Sequence, residues 1–275
     1  MRPDLARQNA RLQSAASAFD RARFAALHIG AIRIGWVRHD HAQRLRAWPE
    51  IFVPGAGGLM LAEDLKDAGK RTAALASVTR ALAEQGVITG WRDEWYAVGE
   101  AFDQPPLFLL ERAAARFFGV TTYAAHVNGY ADSGTDCRMW LARRSAGKPV
   151  DPGMLDNLVG GGIAAGVSVG ETLIKEGREE AGISRERMTR AVARGTVRLL
   201  REVPEGAQSE IIFVHDLALP ADFRPSNEDG EVAEFGLYSL DEVVRRIERV
   251  SEMTLDASIV AMRFLEGLLE ARAQV

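Results

Sequence analysis

The chain has little that would anchor, cross-link or charge-steer it. Among 275 residues there is a single cysteine, Cys137, so no intramolecular disulfide forms, and a reducing compartment is the matching environment. No apolar run reaches the ~18 residues of a membrane span. The N-terminal stretch MRPDLARQNARLQSAASAFDRARF is polar, with acids at Asp4 and Asp20, and lacks the apolar centre of a secretory signal. The expectation is a cytoplasmic protein without a membrane partner. Excess positive charge is missing too: the net charge is −4 and the pI about 5.8, so nothing draws the chain to nucleic acid. An acidic protein that handles phosphates needs metal ions or clustered arginines. Repeats and low-complexity segments are absent. What is present, 47% hydrophobic and 26% charged residues, is the composition of a globular protein long enough for one large domain or two modest ones.

The first ~120 residues mix helices with short strands. Residues 4–27 fit one amphipathic helix, with Leu5, Leu12, Ala16, Phe19, Phe24 and Leu27 toward one side. The segment 29–37 alternates as a strand, 70–86 is helical with Gly86 as its C-cap, 95–99 is a short strand, and a helix over 107–118 follows Pro105 and Pro106 and stops at Gly119. From 121 the pattern changes. Strands at TYAAHVNGYAD, CRMWLARRS and LDNLVGGGIA precede a helix at 169–181; strands at 195–203, 209–219 and 233–239 follow, and helices at 240–249 and 256–272 close the chain. This order predicts an α/β fold: an α/β/α layered domain with a mixed sheet over 121–275, preceded by a smaller α+β domain over 1–120.

One helix breaks its own rules. Ser168 and Glu171 form an S-x-x-E capping box, and Gly182 stands where a left-handed C-cap belongs. Between them Glu176, Glu179 and Glu180 share a face, at a cost of about 0.2–0.5 kcal/mol per like-charged i,i+4 pair. The carboxylates also meet the negative end of the helix dipole, and Gly177 in the interior costs about 1 kcal/mol relative to alanine. Such violations mark function or tight packing. A divalent cation offsets the carboxylate repulsion, and a glycine lets a neighbouring backbone approach.

These residues resemble the Nudix box, G-x5-E-x7-R-E-U-x-E-E-x-G-U with U apolar. Gly161, Glu176, Glu179, Glu180, Gly182 and Ile183 fill their positions, whereas Val167, Lys175 and Gly177 depart from it. In the family the first Glu and the Arg are linked by charge. Here both are altered together, and a paired change is easier to tolerate than a single one. The segments HVNGY (126–130), MWLARRS (139–145), PGMLDNLVGGGIAAG (152–166), ETLIKE (171–176) and HDLALPADFRP (215–225) resemble one Nudix subfamily, and WRDEWYAV and LLERAAARFFGV fall within its extra N-terminal domain. Some members of that subfamily are fused to thiamine pyrophosphokinase. The resemblance implies a Nudix fold and hydrolysis of the diphosphate of thiamine, or of damaged thiamine analogues, to the monophosphate.

It also implies roles. Glu176, Glu179 and Glu180, with the carbonyl of Gly160 or Gly161, would hold Mg2+ or Mn2+. Glu176 is the candidate base, with Glu179 sharing the site. Glu234 is the candidate further metal ligand, with Glu231 as the alternative. Arg143 and Arg144 suit bidentate phosphate recognition. His126 and Asn128 alternate on a strand that faces the cleft or packs beneath it. Trp36, Trp48, Trp91 and Trp95 offer faces on which a charged ring stacks. The N-terminal domain is a packing partner, a dimerisation surface giving a homodimer, or the wall that reads the organic half of a small-molecule diphosphate. Two rival functions stay open: a non-catalytic sensor on the Nudix fold, favoured by Val167 and Lys175, and an isoprenoid diphosphate isomerase.

Overall fold

The structure is a computed structural model, described here over residues 2–55, 57–134, 136–249 and 251–273. Helix α1 (Arg2–Ala16) opens the chain. It stops well short of the helix expected over 4–27: a single 3-10 turn capped by Asp20 follows, and Phe24 to Ile29 pair in a sheet. Period alone did not separate a helical from an extended run of small and apolar residues here. Strands β1 (Phe24–Ile29) and β2 (Ile32–Arg38) form a hairpin turning at Gly30, whose φ is 55°. Helix α2 (His39–Leu45), strands β3 (Phe52–Gly55) and β4 (Gly58–Leu61), and helix α3 (Ala68–Glu84) follow, and the first sheet has the order β2-β1-β4-β3.

A separate hairpin, β5 (Trp95–Val98) and β6 (Phe108–Glu111), leads into the one-turn helix α4 (Ala115–Phe118). The helix expected over 107–118 is therefore half strand. Its apolar run FLLE pairs across the hairpin, and only the part after Arg112 turns helical before the left-handed Gly119. Leu75, Val78 and Leu82 of α3, Phe108 and Leu110 of β6, and Phe117 and Phe118 of α4 share one buried cluster with this sheet.

The second sheet is mixed. Its strands are β7 (Thr121–Asp132), β8 (Cys137–Arg144), β9 (Leu155–Asn157), β10 (Val159–Gly162), β11 (Val192–Val203), β12 (Gly206–Ala218) and β13 (Val232–Ser239). The order is β11-β12-β7-β8-β13, with β10 on β7 and β9 on β8; β7 and β12 run parallel. Central β7 is buried on both faces, as a strand between helical layers must be. Tyr123, Ala125 and Val127 point to the layer of α5 (Val169–Ala181) and α6 (Arg185–Met188). Ala124 points to the layer of α7 (Leu240–Glu248) and α8 (Leu255–Ala273). The α/β/α sandwich preceded by an α+β unit is the expected architecture. One element crosses between the two parts: Leu5, Leu12 and Ala16 of α1 bury against α8, and the Asn9 amide donates to Glu266 at 2.5 Å. No helix among the described residues is long and apolar enough to cross a membrane.

Candidate active site

Helix α5 begins and ends as its sequence dictates. The Ser168 hydroxyl accepts from the Glu171 N–H, the Glu171 carboxylate accepts from the Ser168 N–H, and Gly182 closes the helix at φ 63°. Gly177 accommodates a side chain and not the backbone anticipated for it. A Cβ there would run into Met188 Cε from α6. Val167 packs into the apolar layer, so the missing first glutamate of the box is replaced by core.

The three box glutamates divide into two groups. Glu180 is buried, and its carboxylate accepts the Gly160 N–H at 2.8 Å. Glu176 lies against Gly161: a Cβ on that glycine would sit 2.5 Å from Glu176 Cγ and 2.6 Å from Cδ. Glu179 sits on the flank between Lys175, at 2.9 Å, and Arg178, at 3.6 Å. The Lys175 ammonium also donates to Glu176 at 2.8 Å, so one cation serves two carboxylates. That is what the altered box position does here. Burial pushes Glu180 up to about 8, helped by the Glu176 charge and opposed by the Gly160 hydrogen bond. Burial also raises Glu176, against the pull of Lys175.

Among the described residues, no three His, Cys, Asp or Glu groups converge as a ready-made metal cluster. The donor set is nevertheless of the right kind: desolvated carboxylate oxygens at Glu176 and Glu180 beside the glycine backbone, with too little positive charge around them. Hard divalent cations take oxygen donors of this sort.

A cleft of about 290 Å³ opens beside Gly160, Gly161 and Gly162. On its sheet side lie Thr122, Ala124 and His126 of β7 and Ala207 to Glu210 of β12. The facing wall comes from the N-terminal part: Arg92, Tyr96, Arg112 and Arg116. The Tyr96 hydroxyl reaches so close to Gly162 that a Cβ there would collide with it, and the Ala165 N–H donates to the Trp95 carbonyl at 2.8 Å. These contacts lock the β5–β6 hairpin onto the Gly-rich strand. Arg112 is held by Glu94 at 2.7 Å and lies 5.6 Å from the Tyr96 ring centroid.

Several expected residues sit elsewhere. Asn128 is fully buried and faces the core, not the cleft: its amide donates to Asp216 at 3.0 Å and to the Val260 carbonyl at 3.1 Å, and its carbonyl oxygen accepts from Asn157. Asn157 in turn meets His126 Nδ1 at 2.8 Å. Asn128 thus holds the partner of a cleft residue and cannot itself meet a ligand. Arg143 donates to Glu234 at 2.5 Å and to the Gly153 carbonyl at 2.8 Å, and does not line the cleft. Glu234 is therefore engaged on an exposed strand edge, and the alternative, Glu231, is the one brought to Glu180. It lines the same small cavity as Glu180 and Gly160, and is paired with Lys148. Glu231 stands just before β13, where the Ser145 N–H donates to its carbonyl at 2.9 Å, and the register of β13 on β8 is irregular between Val232 and Glu234. Arg144 does line the cleft, but its guanidinium is occupied by Asp156 at 2.8 Å and by the Val150 carbonyl, so it shapes the 145–153 loop. The N-terminal tryptophans stay out of the cleft. Trp36 packs at a tilt against Phe19 and lies under Arg33, and Trp91 lies under Arg80.

Sequence reasoning did not find Arg112, Tyr96, Glu210 or Asp256 in the cleft wall. Tyr96 and Arg112 fall within the segments WRDEWYAV and LLERAAARFFGV, which the sequence assigns to the N-terminal domain without a role in the site, and Arg112 lies in the stretch expected to be helical; Glu210 carries no motif signal, and Asp256 in the first turn of α8 reads as an ordinary helix-dipole partner.

Residues 5–122 match the family described as a domain of unknown function, DUF4743, and residues 123–255 match the NUDIX domain family. The chain is 38% identical over 241 residues to Nudix hydrolase 20, chloroplastic, of Arabidopsis thaliana, and 38% over 234 residues to Nudix hydrolase 24, chloroplastic, of the same plant. Each match covers 84% of this chain and 64% of the relative, so the chain spans less than two thirds of these relatives' length. A solved structure, DR0079 from Deinococcus radiodurans, is 20% identical with a TM-score of 0.48, covering 62% of this chain and 98% of that one. Residues 123–255 thus carry a NUDIX domain, with a DUF4743 domain before them.

Proposed function

We propose that the protein hydrolyses a diphosphate linkage in a small molecule with the help of Mg2+ or Mn2+, and that the organic half of the substrate lies in the cleft between its two parts. The observation that carries this is the placement of two desolvated carboxylates, Glu176 and Glu180, against Gly160 and Gly161 at the edge of that cleft. Glu176 and Glu180 would hold the metal, with a glycine carbonyl and Glu231 nearby; Glu179 stands on the flank. When bound, the metal neutralises phosphate charge and lowers the pKa of attacking water. Glu176 takes the proton of the water that attacks phosphorus as the bridging P–O bond breaks. Its burial raises its basicity for that task. Lys175 keeps the Glu176 carboxylate turned toward the site and supplies part of the missing positive charge. Gly161 supplies the room: any side chain there would displace Glu176. Arg112, fixed by Glu94 on the opposite wall, offers its remaining N–H donors to a phosphate oxygen.

The segments resembling the thiamine-linked Nudix subfamily support a narrower substrate, thiamine diphosphate or its oxidised analogues, released as the monophosphate. The test is phosphate release on a panel of small diphosphates that includes these, with Mg2+ and with EDTA. Release that needs the metal and falls with Glu176→Gln supports the hydrolase. Tight binding with no release identifies the sensor, a reading to which the Lys175 contacts with both glutamates also lend weight.

A further inference from the structure

Strand β5 asks little of residue 96. Its alternation buries Tyr96 and Val98 together. The Tyr96 ring belongs to the apolar cluster that holds Leu75, Phe108 and Leu110. A phenylalanine would satisfy that packing, so the hydroxyl needs a separate reason. Tyr96 is 7% exposed, and its hydroxyl has no hydrogen-bond partner among the described residues. A buried tyrosine usually finds one. The oxygen is not one of the side-chain polar atoms shielded from water, a group that includes His41 Nδ1 and Asp256 Oδ1, and Tyr96 lines the cleft, so a ligand can reach it.

The hydroxyl leaves the N-terminal core beside the Gly-rich strand. A Cβ on Gly162 would stand 2.1 Å from it. Gly160 pairs with His126 and Gly162 with Ala124, so the two glycines show the same face, the one on the cleft. Gly161 between them turns its face to Glu176. The phenol oxygen thus stands one residue along the strand from the glycine that seats the candidate base. Burial raises the phenol, opposed by Arg112 and helped by the charges of Glu210, Glu94 and Glu176. It stays protonated and offers its O–H. The Arg112 charge also pulls on Glu176, so cation, phenol and carboxylate lie in one another's field. A neutral donor suits this place. It can hold an anionic oxygen, yet it brings no charge that would pair with Glu176 and quench the base.

We propose that the Tyr96 hydroxyl donates a hydrogen bond to an oxygen of the bound diphosphate, so that the N-terminal domain completes the diphosphate site as well as walling it. This rests on the hydrolase reading for the class of ligand, and the two are tested apart. Tyr96→Phe keeps the ring and removes only the hydroxyl. Binding is measured by calorimetry in Mg2+ with two probes whose P–C bonds resist hydrolysis: bare methylenediphosphonate, and the methylene-bridged analogue of adenosine diphosphate. The variant should bind each about tenfold more weakly, by a similar factor, because the lost contact is to the part they share. Its melting temperature should stay level or rise slightly, since no internal partner is lost. Unchanged affinity for both probes, a loss confined to the nucleotide analogue, or no binding of methylenediphosphonate by the wild type overturns the contact. A variant that fails to fold or melts several degrees lower also overturns it, by showing that the hydroxyl serves the fold. Phosphate release from oxygen-bridged diphosphates judges the hydrolase reading separately. A wild type that binds both probes through the hydroxyl and releases no phosphate keeps the contact and loses the hydrolase.

Discussion

Glu180→Gln offers a direct measure of what the buried carboxylate costs without its cation. The glutamine can keep the acceptor for the Gly160 N–H while an amide group that does not ionise replaces the carboxyl. Because the folded-state value stands at about 8 against an ordinary 4.5, the unfolded chain releases its proton first as the pH rises. The folded state then holds more protons, so stability is complete below the unfolded value and is lost as the pH climbs through about 8. At 1.36 kcal/mol per pH unit the ceiling is ~4–5 kcal/mol. Local relaxation and water entry lower such penalties, and we expect ~2 kcal/mol. For a chain of this size that is a melting difference of roughly 5 °C. In EDTA the wild type should lose stability between about pH 5 and about pH 9, and Glu180→Gln should lose less. Mg2+ should flatten the wild-type curve by mass action and leave that of the variant unchanged. Parallel pH curves for the two proteins in EDTA, or an equal Mg2+ shift in both, would refute the reasoning.

Four further outcomes follow from the same geometry. Glu176→Gln should lower kcat by about 100-fold or more, whereas Glu171→Gln, which touches only the Ser168 cap, should leave kcat intact and lower the melting temperature slightly; equal rate losses would mean that helix stability explains both. Gly161→Ala should cut kcat by roughly 10–100-fold in a folded protein, since the new methyl takes the place of the Glu176 stem; unchanged kinetics would free Glu176 from its role. Arg112→Ala should raise KM for the diphosphate by about tenfold while Arg143→Ala changes it little, because Arg143 is tied to Glu234 and Gly153; steady-state kinetics on both variants decide this. Asn128→Ala should destabilise the fold by ~2–3 kcal/mol in urea, because its removal strands polar groups of Asp216, Asn157 and Val260.

Much of the fold was legible because the signals were local. The limits of α5 followed from a capping box and a left-handed glycine, and most strands of the second sheet from their extended runs, although the single strand expected at LDNLVGGGIA is two, β9 and β10. The failures have equally local causes. Residues 24–29 and 108–111 carry apolar residues at spacings that fit a helix as well as a strand, and only their pairing partners decide. Glu176 and Glu180 were visible because the box places them on one helix face. That Glu179 turns to Lys175 depends on side chains one turn apart, and that Glu231 and not Glu234 lies beside Glu180 depends on contacts at the irregular start of β13. The far wall was illegible for a different reason. Arg112 and Tyr96 are brought to Gly162 by the packing of one domain on another, and no spacing within either segment encodes that contact.

The clasp between α1 and α8 has a bearing on how the molecule is made. Asn9 and Glu266 are 257 positions apart, yet Leu5, Leu12 and Ala16 share a core with Ile259, Val260 and Phe264. During synthesis α1 emerges first and must wait, its apolar side uncovered, until α8 has left the ribosome. Contacts of such span reward the chain only after a long loop has closed, which slows folding. The intervening strands cannot complete their α8-side layer in the meantime. A fragment starting at residue 121 would reach the same impasse permanently, leaving the α8 surface that α1 covers open to other exposed apolar surfaces, so aggregation is its first expected failure.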